Sequence, residues 1–301
     1  MSTPSSTPAT SPIRWPAEAL WEALAPLLPG FTVEVLPEID SSNTELMRRF
    51  RGSPSGSGGS PTVEPRPEPV LLVAEQQTAG RGRLGRQWQS RRGDSLTFSL
   101  GLPLAPADWS GLSLVAGVSV ADSLEPLTGG GKPRIGLKWP NDLWLSTPQG
   151  ERKLAGILVE TASWEGIRYV VIGIGINIRA LPPDPAAPAA ALPAIPPGGL
   201  QELLPELDAP ATLLRIIPPL VQAVQAFERF GFAPFQARFA ARDVLAGRTV
   251  QLSDGNTGTA HGAGENGALL VHTGAGMKEI TSSEVSVRPV AAHPTQGARP
   301  C

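Results

Sequence analysis

The stretch Glu75–Trp88, EQQTAGRGRLGRQW, carries arginines at 81, 83 and 86 interleaved with glycines at 80, 82 and 85, and Arg91 and Arg92 follow. No acidic residue falls between Glu75 and Asp94. Glycine lets a backbone approach a ligand closely, and arginine carries a charge that physiological pH does not remove. The combination suits a loop that closes over anions, but equally a nucleic-acid contact or a solvated linker. Two lysines narrow the choice. Lys138 lies in IGLKWPNDLW and Lys153 in KLAGILVE, each among apolar neighbours of an expected strand, where an unpaired ammonium is expensive to bury. Each therefore needs a carboxylate of the chain (Glu151, Glu160 or Asp142) or an anion bound from outside. The turn Asp40-Ser41-Ser42-Asn43 adds neutral polar groups. It reads as a helix N-cap, as a surface for a neutral polar ligand, or as both.

Groups for several other chemistries are missing from the sequence. The only cysteine is Cys301, so there is no disulfide framework, no cysteine nucleophile within the fold and no cysteine-based zinc site. No GxSxG elbow, HExxH pair or GxxxxGK[ST] loop occurs. His261, His272 and His293 read as ordinary surface residues. What remains gathers anions and offers no nucleophile. That pattern fits acyl-adenylate formation, in which a substrate carboxylate attacks the α-phosphate of ATP and pyrophosphate leaves. The protein's task is then to hold two repelling anions together and to stabilise charge at phosphorus. Two unit charges about 4 Å apart repel by roughly 4 kcal/mol at an effective dielectric near 20, which fixed lysines and arginines offset. Mg²⁺ carried by ATP would neutralise more, with Asn141 or Asp142 as its candidate protein ligand.

The elements that must position these groups follow from periodicity. Residues 1–15 are Ser/Thr/Pro-rich and read as disordered. A short helix is expected over Trp15–Leu28, a strand over Phe31–Leu36 and a helix from Thr44 to about Phe50. Gly52–Pro69 reads as a linker or surface loop. Val70–Glu75 and Ser95–Leu100 read as strands, and Trp109 to about Leu127 as a core helix. Ile135–Trp144, Lys153–Glu160 and Tyr169–Ile178 read as successive strands whose short gaps favour antiparallel hairpins over a doubly wound nucleotide fold. Gly173 and Gly175 within the last of these suggest that another group approaches its backbone. Residues 181–210 read as a Pro/Ala-rich surface insertion. A helix is expected over Ala211–Phe230, interrupted at Pro218-Pro219, with a second over Phe232–Val244. Short strands at Thr249–Leu252, Thr257–Gly262, Ala268–His272 and Glu284–Val287 read as a small SH3-like barrel.

Bulk numbers are consistent with this organisation. The 301 residues suffice for one large domain and one small one. Hydrophobic residues make up 41% and charged residues 17%, enough to bury a core. A net charge of −2 argues against bulk nucleic-acid binding. No apolar run reaches membrane-spanning length and no signal pattern opens the chain, so a soluble, cytoplasmic protein is expected.

EQQTAGRGRLGRQW, KWPNDLW, KLAGILVE and VIGIGINI, in this order and followed by short strands, resemble the biotin–protein ligases over about Phe31 to Val290. The resemblance implies an α+β fold. Its catalytic domain (30–245) would be similar to class II aminoacyl-tRNA synthetases, with a mixed, largely antiparallel sheet. A C-terminal SH3-like barrel (246–291) would follow, with 1–29 as an N-terminal tail and short helix and 292–301 as a tail. It implies that biotin and ATP, with Mg²⁺, yield biotinoyl-5′-AMP, and that biotin is then transferred to a lysine of a carboxyl-carrier protein domain. By the same resemblance Ser41, Ser42, Asn43 and Gln77 meet the biotin rings. Gly80, Arg81, Gly82 and Arg83 form the closing loop, Lys153 sits between carboxylate and phosphate, and Gly156 and Leu158 line the pocket. Trp88 and Asn177 face adenine, while Arg86, Lys138, Asn141 and Asp142 lie on the ATP side. Arg83 and Lys153 are the implied catalytic pair. The loop is expected to be mobile when empty and to close over the adenylate.

Departures from the family pattern are few. Ser42 stands where threonine is common, Gln76 where an aromatic can occur, and the 52–69 and 181–210 stretches are peculiar to this chain. The space before Phe31 is too short for the winged-helix domain of bifunctional members, so a monofunctional enzyme without DNA binding is expected. No membrane partner is expected, and a homodimer is left open. The competing readings are a lipoate–protein ligase of the same fold and a non-catalytic nucleic-acid-binding protein.

Overall fold

A computed structural model describes residues 12–51, 68–127, 131–181, 195–281 and 288–289. The Gly52–Pro69 loop up to residue 67, residues 182–194, the Glu284–Val287 strand and His293 lie outside the described residues. Seven strands form one mixed sheet: β1 (Thr32–Leu36), β2 (Val70–Ala74), β3 (Ser95–Pro103), β4 (Ile135–Lys138), β5 (Asp142–Thr147), β6 (Gly150–Trp164) and β7 (Ile167–Asn177). Their spatial order is β1-β2-β3-β7-β6-β5-β4. Only β1 and β2 run parallel, and every other neighbouring pair is antiparallel, as the short connections require.

Alternation along β7 divides the two faces of the sheet. Val170, Ile172, Ile174 and Ile176 enter the main core with α1 (Ala17–Leu24), α3 (Leu112–Leu124) and α4 (Ala209–Phe230). Tyr169 and Val171 point the other way. There they pack with Leu46, Met47 and Phe50 of α2 (Ser42–Phe50). Gly173, beneath the N-terminus of α2, and Gly175 continue that second face.

Several expectations are corrected. Ile135–Trp144 is two antiparallel strands turning at Trp139-Pro140, because Lys138 and Asp142 pair across the turn. α4 runs unbroken through Pro218 and Pro219. An internal proline costs about 3 kcal/mol, and the completely buried Ile216, Ile217, Leu220, Val221 and Val224 offset that through packing. The Phe232–Val244 helix shrinks to a 3₁₀ turn and α5 (Gln236–Ala240). Past it the chain bends so that Leu137 N–H donates to Arg242 O and Val244 N–H to Leu137 O, which covers the outer edge of β4. In 195–210, Gly198, Gly199 and Leu200 are buried rather than peripheral.

A second sheet holds β8 (Thr249–Gln251), β9 (Thr257–Ala263), β10 (Leu269–Thr273), β11 (Gly276–Ile280) and β12 (Arg288–Pro289), ordered β11-β10-β9-β8-β12. β11 was not foreseen, since Gly276-Met-Lys-Glu carries little apolar alternation. His261 and His272 are exposed here, as expected. This sheet grips the β4–β5 turn, where the buried Trp139 Nε1 donates to Gly267 O at 3.1 Å.

One buried cation ties these parts together. The Arg242 side chain is 0% exposed. It donates to Asp122 Oδ1 at 2.8 Å, to Glu125 Oε2 at 3.3 Å, to Ile135 O at 2.9 Å and to Glu125 O. Arg242→Ala would remove this buried donor from two carbonyls and two carboxylates, leaving Asp122 with Arg238 and Glu125 with the Arg134 and Ile135 N–H groups. The expected cost is about 3 kcal/mol of unfolding free energy, measured by urea denaturation, and a loss below 1 kcal/mol would contradict this account.

Candidate active site

Strand register brings the sequence-predicted residues into one row. Thr97 pairs with Gly175, Gly175 with Gly156, Gly156 with Asp142 and Asp142 with Lys138, spanning β3, β7, β6, β5 and β4. A second row is Ser99, Gly173 and Leu158. Glycine at 173 and 175 leaves a depression in the sheet face. A Cβ at 173 would lie 2.1 Å from Asn43 Oδ1, and one at 175 would lie 2.3 Å from Trp88 Cε2. The close approach inferred from these glycines is therefore made by the α2 N-terminus and by the Trp88 indole. Trp88 also reaches over Gly156, and its Nε1 is buried without a hydrogen-bond partner.

Lys153 reaches this face through a β-bulge. Leu143 pairs with Ala155 but Trp144 with Lys153, so β6 contains one extra residue, Leu154. In a regular strand Lys153 and Gly156 would point to opposite faces. The bulge reverses that: Lys153 Nζ would lie 3.6 Å from a Cβ on Gly156, while Leu154 and Ala155 both enter the core. The bulged backbone is held by residues 196–198 and by Asn177 at the end of β7. Lys153 N–H donates to Pro196 O at 2.8 Å, and Lys153 O accepts from Gly198 N–H at 2.9 Å and from Asn177 Nδ2 at 3.1 Å.

The charges converge on one carboxylate. Lys153 Nζ is 2.7 Å from Asp142 Oδ1, the first of the two alternatives for that lysine. Glu151 pairs instead with Arg248, and Glu160 with Arg81. Burial pushes the Lys138 ammonium down to about 8; Asp142 opposes the shift, and Lys153, Arg86 and Arg83 add to it. Burial lowers the Arg83 guanidinium too, with Asp142 opposing and Arg86 reinforcing. Lys138, Lys153 and Arg83 thus all interact with Asp142, and Arg86 lies close enough to act on Lys138 and Arg83. Among the described residues no group of three or more His, Cys, Asp or Glu is placed to hold a metal.

The polar turn serves both readings given to it. Ser41 Oγ caps α2 by accepting from Thr44 N–H at 3.4 Å. Ser42 donates from N and Oγ to Gln77 Oε1, at 2.8 and 3.1 Å. Ser99 Oγ lies 2.8 Å from Ser42 Oγ and donates to Asn43 Oδ1 at 2.6 Å. Asn43 Nδ2 donates to Leu158 O at 3.2 Å and to Glu160 Oε2 at 3.0 Å, and Glu160 also holds Arg81. Ser99 and Glu160 were missed as site residues. Ser99 was legible, because Ser95, Thr97 and Ser99 alternate with Leu96, Phe98 and Leu100 and mark a polar face on a buried strand.

The arginine loop is a hairpin. Trp88 N–H donates to Gly80 O at 2.9 Å, Arg81 bridges to Gln87, and Gly82 N–H donates to Arg86 O at 2.7 Å. A 3₁₀ turn over Arg83–Gly85 forms the tip. Gly80 is required where the arms cross, since a Cβ there would lie 2.4 Å from Trp88 O. Asn141, assigned to ATP from sequence, spends its Nδ2 on Ile157 O at 2.7 Å and so braces the β4–β5 turn against β6.

A cation cluster beside a glycine-floored sheet face suits a ligase that activates a carboxylate. Residues 62–177 match the sequence model of the biotin/lipoate A/B protein ligase family. The chain is 34% identical over 267 residues to the bifunctional ligase/repressor BirA of Escherichia coli (strain K12), spanning 87% of this chain and 75% of that relative. It is 31% identical over 260 residues to the biotin–[acetyl-CoA-carboxylase] ligase of Paracoccus denitrificans, spanning 83% and 98% of the two. A solved structure of the biotin protein ligase from Aquifex aeolicus in complex with biotin and ATP superposes with a TM-score of 0.63 at 29% identity, covering 86% of this chain and 99% of that one. The chain belongs to the biotin–protein ligase family.

Proposed function

We propose that this enzyme forms biotinoyl-5′-AMP and pyrophosphate from biotin and ATP, then transfers biotin to a lysine of a carboxyl-carrier domain and releases AMP. The observation that carries the reading is the gathering of Lys138, Lys153 and Arg83 around Asp142, with Arg86 beside Lys138 and Arg83, at the edge of the Gly156–Gly175 floor. In the first step the biotin carboxylate oxygen forms a bond to the α-phosphorus and the bond to pyrophosphate breaks. In the second the carrier amine attacks the acyl carbon and AMP leaves. Neither step asks the protein for a covalent nucleophile.

The roles proposed here draw on position and on the family resemblance. Ser42, Asn43 and Gln77, prearranged by their own hydrogen bonds, face the biotin rings, with Ser41 holding the turn. Gly156, Leu158 and Gly173 form the floor. Lys153 exchanges part of its interaction with Asp142 for the carboxylate and α-phosphate, while Arg83 and Arg81 approach from the hairpin. Lys138 and Arg86 serve the remaining phosphates, and Trp88 packs against adenine. Mg²⁺ enters with ATP, and Asp142 is its proposed protein ligand. Closure of the hairpin tip excludes water from the adenylate. The larger sheet with its helices corresponds to a class II synthetase-like domain (30–245) and the second sheet to an SH3-like one (246–291).

Biotin-dependent ATP–pyrophosphate exchange, run beside lipoate and octanoate, tests the reading. Exchange with biotin alone is expected, and its absence refutes the assignment. A pH series adds a sharper test. Because Lys138 loses its charge as pH rises through about 8, kcat/KM for ATP should fall on the alkaline side with an apparent pKa near that value, since this constant reports the free enzyme. Lys138→Arg should remove that limb. A wild-type profile flat to pH 9.5 would rule Lys138 out as a phosphate contact.

A further inference from the structure

We infer that Trp15, in the segment before α1, is a positioning residue for the arginine hairpin; the inference rests on the ligase reading above. The contacts of the hairpin continue below Gly80 and Trp88. Gln77 N–H donates to Ser90 Oγ at 2.8 Å, and at the base Arg92 Nε donates to Glu75 Oε2 at 2.6 Å. These contacts form a ladder with the Glu75–Arg92 ion pair as its lowest rung. Glu75 is buried, 6% exposed. A buried carboxylate needs a donor on each oxygen, and its second oxygen, Oε1, accepts from Trp15 Nε1 at 2.9 Å. The Trp15 side chain also packs against the main core. One indole N–H from a segment sixty residues away thus completes the base of the element that carries Arg81, Arg83 and Trp88.

The consequence is mechanical. The tip must open for substrates and product, and the ladder sets where it hinges. With Glu75 satisfied on both sides, opening is confined to residues above Gln77–Ser90. Without the Trp15 N–H, Glu75 Oε1 is buried with no donor and the lowest rung becomes the weak point, so the whole hairpin lifts and the adenylate escapes.

The test is Trp15→Phe, which keeps a ring in the core and removes the N–H. With labelled biotin and ATP followed by an unlabelled chase, the half-life of the bound adenylate should shorten about tenfold, the effect of one lost buried hydrogen bond. Hydrogen exchange over residues 77–90 of the ligand-free protein should accelerate in parallel. Trp21→Phe is the control, since Trp21 is exposed on α1, and it should leave both readings unchanged. An adenylate half-life within twofold of wild type, with unaltered exchange over 77–90, overturns the inference whatever happens to Tm. If Trp15→Phe does not fold, Glu75→Gln, which weakens the same rung, is judged by the same two readings. If the wild-type protein makes no adenylate, the ligase reading fails, and the ligand-free exchange experiment still decides the role of Trp15.

Discussion

Lys153→Ala is expected to reduce biotin-dependent pyrophosphate exchange by about 10²–10³-fold, the range found when one fixed donor to a developing charge is removed. Lys153 Nζ lies between Asp142, at 2.7 Å, and the Gly156 floor. In the proposed mechanism it is the cation nearest to where carboxylate and α-phosphate meet. Its backbone is held independently by Pro196, Gly198 and Asn177, so truncating the side chain leaves the bulge in place and Tm should change little. Transfer from separately prepared biotinoyl-AMP to the carrier should suffer less, because the phosphoryl chemistry is then already complete. If exchange in this variant stays within threefold of wild type, Lys153 is not the residue that joins the two anions.

Gly175→Val is the second large effect, and it acts through space rather than charge. A Cβ at 175 would sit 2.3 Å from Trp88 Cε2, 2.5 Å from Cζ2 and 2.7 Å from Nε1. The indole must leave the floor and draw the upper hairpin with it, while the valine methyls fill the depression. Biotin affinity measured by calorimetry should fall at least about 100-fold, equivalent to roughly 3 kcal/mol. Valine suits a strand and Trp88 is only partly buried, so Tm should fall modestly. Retained biotin affinity would mean that the pocket lies elsewhere. Gly173→Ala makes a useful contrast: its Cβ would meet Asn43 Oδ1 at 2.1 Å, inside a buried network, so it should damage stability and binding together.

Much of this was legible because it depends on local rules. The Ser41 cap, the hairpin order of β5, β6 and β7, and the meaning of Gly173 and Gly175 all follow from residue type and a period of two. The illegible parts are tertiary. Nothing in KLAGILVE announces a bulge, yet without it Lys153 would point into the core. Ile135–Trp144 reads as one strand, and its division depends on the pairing of Lys138 with Asp142. Pro196–Leu200 looks like the end of a low-complexity insertion, but its backbone completes the hydrogen bonding of Lys153. The unbroken α4 likewise reflects burial overriding what two prolines prefer locally. The arginine loop was recognised by composition, while its ladder of cross-contacts depends on partners such as Ser90 and Trp15 that composition does not single out.

The extra residue in β6 also bears on which length changes the chain can absorb. A residue gained or lost at the β5–β6 turn, near Gly150, would be taken up in the turn, and Lys153 would keep its neighbours. At a spacing of three, losing the bulge would turn the ammonium to the opposite side of the sheet, among Leu154, Ala155 and Ile157, whereas deleting one residue between Lys153 and Gly156 would remove the bulge and still leave the two on one face. The site therefore requires spacing and bulge to match: three residues with a bulge, or two without one. For this proposed catalytic lysine, the bulge and the sequence spacing are one requirement, not two.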